Sequence, residues 1–365
     1  MKALNTSAKS VDKNSSICRL KALIAKKFGN FLSFNPQLSS FVINGNIRGI
    51  CLIGDNAVVL SHLTKLDCHI TDEQDFYQLE ENYGKQLVSL GIRWVSIDCE
   101  LQTIMEVMSR LSAFCKLQSL DIHFEVCHDY DIDIDSEDIK QIQKMFDRVG
   151  DKCRQLSQLK IRFFDFYCIE FNTLDILLFF RSFTELTDFE LHLDYLQFNS
   201  FVELRQLTKL KKLEISSKEW LNKDIFEDID QYLPQLECLH IFPRSVYVYQ
   251  LLEHISQLKQ LKSLEINYSG IIPEKEFYSS GVEQLMANCP LITRLVLILP
   301  YETSLDLNRE IIDTFKARAK QMPKIDYYLE LCTKEWAKLT DSVRNLPGNL
   351  VVKIVELSRN LHNFN

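Results

Sequence analysis

In Leu207-Thr208-Lys209-Leu210-Lys211-Lys212-Leu213-Glu214-Ile215, apolar residues stand at offsets 0, 3, 6 and 8, with polar residues between them. The beat returns at Leu233, Leu236, Leu239 and Ile241, and again at Leu258, Leu261, Leu264 and Ile266. The last pair of each set alternates as a strand with one buried face does. Related beats are Leu60-xx-Leu63-xx-Leu66-x-Cys68, Phe114-xx-Leu117-xx-Leu120-x-Ile122 and Cys153-xx-Leu156-xx-Leu159-x-Ile161. Phe183-xx-Leu186-xx-Phe189-x-Leu191 and Cys289-xx-Ile292-xx-Leu295-x-Leu297 continue them. Looser copies are Ile47-xx-Ile50-x-Leu52, Ile92-xx-Val95-x-Ile97 and Met322-xx-Ile325-xx-Tyr328. One such unit cannot bury its apolar side chains alone, so the units must stack.

Anchored on the third apolar position, from Leu66 to Leu295, the units repeat every 24 to 39 residues and average about 29. That length leaves room for a helix between strands, and the intervening segments carry helical spacing. Ile139, Ile142, Met145, Phe146 and Val149 share one face, as do Ile225, Ile229 and Tyr232. So do Val248, Leu251, Leu252 and Ile255, and also Ile311, Ile312 and Phe315. Asp135-Ser136-Glu137-Asp138, Asn222-Lys223-Asp224 and Asn308-Arg309-Glu310 offer caps and early acids for helix starts. The expected fold is α/β: a solenoid curved into an arc, with short parallel strands on the concave face and helices on the convex face.

The domain reading follows. Residues 1–16 are a polar, disordered lead, and residues 17–40 are a capping helix with Leu20, Leu23, Ile24 and Phe28 on one face. Residues 41–332 are the repeat array, and 333–365 form capping helices.

Composition narrows the function. The chain has 365 residues, 46% of them hydrophobic, and a formal charge of −8. The charge disfavours nucleic acid and anionic membranes as partners. Eleven cysteines, with no C-x-x-C, are scattered along the chain, several at core positions, which fits a reducing compartment, cytoplasmic or nuclear. Met1 to Ser16 lack the apolar run of a signal peptide, and no window is long and apolar enough to span a bilayer. The enzyme motifs G-x-S-x-G, H-E-x-x-H, G-x-x-x-x-G-K-[ST] and G-x-G-x-x-G do not occur. The chain therefore reads as a non-enzyme with no catalytic residues, no cofactor and no metal.

Side chains alternate across a strand, so the residues just before, one after and three after each anchor face into the arc. The partner-binding candidates among them are Asp67, His69, Trp94, Asp98, Asp121, His123, Lys160, Arg162, Glu190, His192, Glu214, His240, Phe242, Glu265 and Asn267. This mixed, mildly acidic surface turns apolar near Phe242. Its acids are expected to be solvated, so reversing Glu190 and Glu214 should leave unfolding nearly unchanged. The one repeat step of 39 residues holds an acidic loop with Asp129, Asp131, Asp133 and Asp135. Neither frame through it satisfies an EF-hand, which needs glycine at position 6 and glutamate at 12. A solvated loop, a docking loop for a basic partner and a weak calcium site all remain open for it.

The repeat beat resembles that of leucine-rich-repeat proteins. Within that class, Phe114-Cys115-Lys116-Leu117, Cys153-Arg154-Gln155-Leu156 and Asn288-Cys289-Pro290-Leu291 look like the turns of F-box/leucine-rich-repeat proteins. The resemblance implies a substrate-recognition subunit of a cullin-RING ubiquitin ligase, holding a protein target in the arc and the Skp adaptor through an F-box. No F-box is recognisable before the repeats. Leu346-Pro347-Gly348-Asn349-Leu350-Val351-Val352 is similar to the opening of an F-box helix, with a C-terminal capping helix as the other reading. The Asn or Cys usual five residues after the anchor is replaced, for example by Thr71, Phe164 and Lys218, so another device must satisfy the turn backbone. The alternative function is a stand-alone scaffold or regulator, of GTPase-regulating or cytoskeletal type, unconnected to ubiquitin.

Overall fold

The computed structural model describes residues 27, 30, 32–46, 60–70, 73–96, 101–126, 136–164, 176–193, 201–217, 223–242, 248–267, 276–298, 305–333, 339 and 341–356. The chain divides into two compact units, Met1–His128 with Arg148–Leu156, and Asp129–Asp147 with Ser157–Asn365.

In the first unit, β1 (Ser40–Asn46), β2 (Lys65–Ile70), β3 (Ser89–Ser96) and β4 (Ser119–Val126) pair in parallel, each beside the one before it in sequence. Helices Glu73–Tyr83 and Leu101–Arg110 return the chain between strands. In the second unit the parallel order is β5 (Gln158–Phe164), β6 (Asp188–Leu193), β7 (Lys212–Ser217), β8 (Cys238–Phe242), β9 (Ser263–Asn267), β10 (Arg294–Ile298), β11 (Tyr327–Thr333) and β12 (Leu350–Glu356). Further returns are full helices at Glu276–Asn288 and Leu305–Gln321, whereas between Phe189 and Leu213 the return holds a 3-10 segment, Phe201–Gln206.

The physical content of the beat is visible in the hydrogen bonds. Its first and second apolar residues close a turn: Leu63 N donates to Leu60 O at 3.1 Å, Leu210 N to Leu207 O at 3.0 Å, and Leu261 N to Leu258 O at 3.1 Å. The third and later apolar residues of each strand lie in one buried row, with Leu213, Leu239 and Leu264 in register across β7, β8 and β9.

The missing asparagine ladder is replaced at the other end of the strands. Two successive N–H groups donate to one carbonyl of the preceding repeat: Val88 and Ser89 to Thr64 O, Lys211 and Lys212 to Thr187 O, Lys262 and Ser263 to Glu237 O. Thr64 adds its hydroxyl, at 3.1 Å, to the carbonyl of Ser39. Buried thiols serve the turns. Cys153 Sγ donates to Leu111 O at 3.4 Å, and Cys289 Sγ lies 3.4 Å from Leu258 O and 3.5 Å from Ser256 O. Asn349 Nδ2 reaches Ile325 O at 2.8 Å in the last repeat. These contacts satisfy backbone acceptors that would otherwise be buried unpaired.

Four expectations change. In the third strand the anchor is Leu90, which pairs in register with Leu66 and Leu120, and not Val95. Leu87-xx-Leu90-x-Ile92 carries the beat, and Gly84 occupies the slot of the first apolar residue. The slip of five residues is odd, so it exchanges the faces.

The second change is at the start of the array. The segment Ile47–Leu52 lies outside the described residues, and β1, with Phe41 in register with Leu66, provides the first strand. Lys27, Asn30 and Leu32–Phe34 are helical ahead of it, while Leu20, Leu23 and Ile24 are outside the described residues, as is the lead 1–16.

The third change is at the other end, where Leu350–Glu356 is neither an F-box helix nor a capping helix. It is β12, parallel to β11 and in register from Tyr327↔Leu350 to Thr333↔Glu356. Its β-branched Val and Ile residues favour an extended strand over a helix. The anchor of β11 is accordingly Leu329, paired with Leu295, one residue past Tyr328.

Finally, Asn308 is not a cap, because the helix begins at Leu305 and buries it.

Candidate functional site

Parallel pairing sets the polar residues of the second unit in rows across the strands. Lys160, Glu190, Glu214, His240 and Glu265 align from β5 to β9, followed by Val296, Glu330 and Lys353 from β10 to β12. Arg162, His192, Ser216 and Phe242 form a second row beside it. Two carboxylates directly opposite each other, Glu190 and Glu214, repel. The fold answers by surrounding them.

Glu190 Oε1 accepts from Arg162 Nη2 at 2.5 Å and Nε at 3.2 Å, and lies 3.0 Å from His192 Nε2. Its Oε2 pairs with Lys160 Nζ at 2.5 Å. The same His192 nitrogen is 3.4 Å from Glu214 Oε1, so one N–H bridges both acids. Glu214 Oε2 meets His240 Nδ1 at 3.1 Å and Lys212 Nζ at 3.6 Å. Phe242 closes the cluster, its ring centroid 6.3 Å from that of His192.

Burial pushes the Glu190 carboxyl up, yet hydrogen bonds from His192, Lys160 and Arg162 outweigh it and hold the group at about 2. Burial opposes the shift at Glu214 too, and the two histidines hold it well below the usual carboxylate range. For His192, burial lowers the value and the two carboxylates overcome it, leaving the imidazole raised.

A second cluster lies on β9–β12. Arg294 Nη2 is 3.6 Å from Glu265 Oε2, and its guanidinium sits 4.5 Å over the Tyr328 ring. Tyr328 donates to Glu330 Oε2 at 2.5 Å, and Lys353 Nζ to Glu330 Oε1 at 2.6 Å.

Lys160, Arg162, Glu190, His192, Glu214, His240 and Phe242 are thus brought together, and Glu265 and Asn267 stand half-buried on the same unit. In the first unit, Asp67 and His69 on β2 and Asp121 and His123 on β4 lie on the polar side of their strands. Trp94 is a correction. It is buried with the core row of β3, and Ser89, Gly91 and Arg93 take the open positions. Asp98 lies outside the described residues, as do Asp129, Asp131, Asp133 and Asp135. Sequence reasoning set Lys212 and Arg294 on this face without counting them among the partner-binding candidates. It missed Tyr328, Glu330 and Lys353, because the shifted anchor of β11 and the unrecognised β12 hid them.

Glu190, His192 and Glu214 bring three ligand-type atoms within 4.8 Å of one another. Lys160 and Arg162 already satisfy Glu190, so a divalent ion would have to displace a guanidinium. Within the cluster the two carboxylates are compensated by Lys160, Arg162 and Lys212. Among the described residues no helix is long and apolar enough to cross a membrane.

The repeats, in-register parallel strands and helical returns define an α/β leucine-rich-repeat fold. No family model matches the sequence, and no curated protein matches it. Among solved structures, the crystal structure of a TLR13–ssRNA13 complex matches at 12% identity with a TM-score of 0.27, covering 85% of this chain and 49% of that chain. The chain thus spans about half the length of that chain.

Proposed function

We propose that this protein is a non-enzymatic binding scaffold that holds a partner protein against the polar face of its strands. The observation that carries this reading is the cluster on β5–β8. Eight charged, imidazole and aromatic side chains from four strands are fixed in one another's contact on a face the helices do not cover. Preorganised polar groups around an aromatic anchor are what a protein–protein hot spot requires. The net charge of −8 favours protein over nucleic acid or anionic membrane. The buried thiols Cys68, Cys153 and Cys289 support a cytoplasmic or nuclear setting.

Within that reading, the finer role is target recognition in a cullin-RING ligase, supported by the cysteine-centred turns at Cys153 and Cys289 and their resemblance to F-box/leucine-rich-repeat turns. The F-box-like phrase at Leu346 lends it nothing, since from Leu350 on its residues build β12. Affinity purification of the tagged full chain tests both levels. A partner lost on Phe242→Ala with an unchanged melting curve supports the scaffold. Co-purification of the Skp adaptor supports the ligase role, and a stable partner without it favours the stand-alone scaffold.

A further inference from the structure

In every cation–carboxylate pair on the face of the second unit, among the described residues, the acid is the deeper member. The carboxylates of Glu190, Glu214, Glu265 and Glu330 are 7–20% exposed, and their partners Lys160, Arg162, Lys212, Arg294 and Lys353 are 28–57% exposed. The fifth acid on the face, Asp188, accepts the Thr187 hydroxyl at 2.7 Å. Part of this order follows from side-chain length, since lysine and arginine extend past what they cover. The electrostatic result is the same: acids lie beneath, cations above, and an approaching group meets ammonium and guanidinium first. Formal charge, which suggested a mildly acidic surface, mistakes the sign of the outer layer.

We propose that this face takes a short acidic segment of the partner protein, whose carboxylates land on Lys160, Lys212, Arg294 and Lys353. The inference rests on the scaffold reading above and names its partner's chemistry. The cations lie on β5, β7, β10 and β12, two or three strands apart, which is about 10–14 Å at ~4.8 Å per strand. An extended chain crossing the strands advances about 3.3 Å per residue, so acids three or four residues apart meet successive cations. Each lysine ammonium has three N–H donors and shares them readily between an internal and an incoming carboxylate. Nucleic acid suits the face less well. Duplex DNA carries a charge about every 1.7 Å and calls for a continuous cationic track, whereas these cations are spaced two or three strands apart.

The test is fluorescence anisotropy of the full chain with a labelled peptide of about fourteen residues, with glutamate at every third position among serine and glycine. Saturable binding that weakens roughly tenfold or more between about 50 and 300 mM NaCl is expected. The paired reversal Lys160→Glu and Lys212→Glu should lower affinity at least about tenfold, a loss of ~1.4 kcal/mol, while Lys140→Glu on the outer helix leaves it unchanged. Circular dichroism checks the fold of each variant. If the paired reversal unfolds the chain, Lys353→Gln on β12 replaces it, with a severalfold weakening expected. Absence of saturable binding, or affinity indifferent to these lysines, overturns the inference. So does tighter binding of a single-stranded oligonucleotide of equal length to the same lysines. A captured partner that needs Phe242 and ignores the lysine changes leaves the scaffold reading standing and removes the acidic segment.

Discussion

Glu190 Oε1 and His192 Nε2, two residues apart on β6, stand 3.0 Å from each other, with the same nitrogen reaching Glu214 across to β7. Adjacent strands thereby share one proton donor between two acids. The expectation that these acids are solvated does not survive, because Glu190 is 6% exposed. Glu190→Ala leaves Arg162, Lys160 and His192 without their common acceptor and should destabilise the fold by about 1–3 kcal/mol in chemical denaturation. Reversing Glu190 and Glu214 to lysine together should cost more, since it gathers like charges. A melting curve unchanged by either variant would contradict the buried placement.

The same pair sets a pH dependence. His192 is raised when folded, so its contribution is complete below its ordinary value near ~6.5 and fades as pH climbs through the raised one. Glu190 and Glu214 are depressed, so theirs is complete above about 4.3 and is lost as pH falls, towards about 2 for Glu190. Thermal stability should therefore peak between about pH 4.5 and 6.5 and decline on the alkaline side. His192→Asn should flatten that decline in scanning calorimetry, and a wild-type curve that rises from pH 6 to pH 8 would contradict the bridge.

Trp94 shows where pattern reading fails and why. A beat is recognised by leucine-like side chains at four offsets, and the third repeat puts Gly84 in the first of them. The strand could then be moved to Val95 at no cost in pattern, although its core row is Leu90, Ile92 and Trp94. Register becomes unambiguous only when the neighbours Leu66 and Leu120 are paired to it. Buried Trp94 has no acceptor for its indole Nε1 among the described residues. Trp94→Phe, which keeps a ring and removes that donor, should change stability by less than about 1.5 kcal/mol. Trp94→Ala should cost roughly 3–5 kcal/mol. If the two behave alike in urea, the indole is not in the core.

Depth is a second thing the sequence withholds. Alternation tells which face Glu190 points to, and most strands were legible in that sense. It cannot tell that Arg162 and Lys160 fold over it. Nor can it tell that Val296, on the same row, is buried while Val351, on the terminal strand, is 58% exposed. Those outcomes depend on which side chains stand on neighbouring strands, a relation set by register between residues some thirty positions apart.

Thiol chemistry reads the core independently. Cys115 is exposed, whereas burial pushes Cys68 up to about 12 and Cys153 and Cys289 up to about 11. Reactivity follows the thiolate and its access. With iodoacetamide on the native protein, peptide mapping should find Cys115 alkylated well before Cys68, Cys153 and Cys289, and all four alike in guanidinium. Early labelling of Cys289 would contradict its burial against the carbonyls of Ser256 and Leu258 in the preceding repeat.

Leu213 tests the repeat itself. It is the third apolar residue of its beat, fully buried, and in register with Phe189 and Leu239 on either side. Leu213→Ala removes three carbons from a row that neighbouring repeats cannot refill, so a loss of about 2–5 kcal/mol is expected. Val351→Ala, on the exposed side of β12, should stay within about 0.5 kcal/mol. The contrast in urea midpoints separates stacked repeats, whose core is one row per strand, from any arrangement that buries both faces of these strands. Equal losses at the two positions would rule out the stacked one.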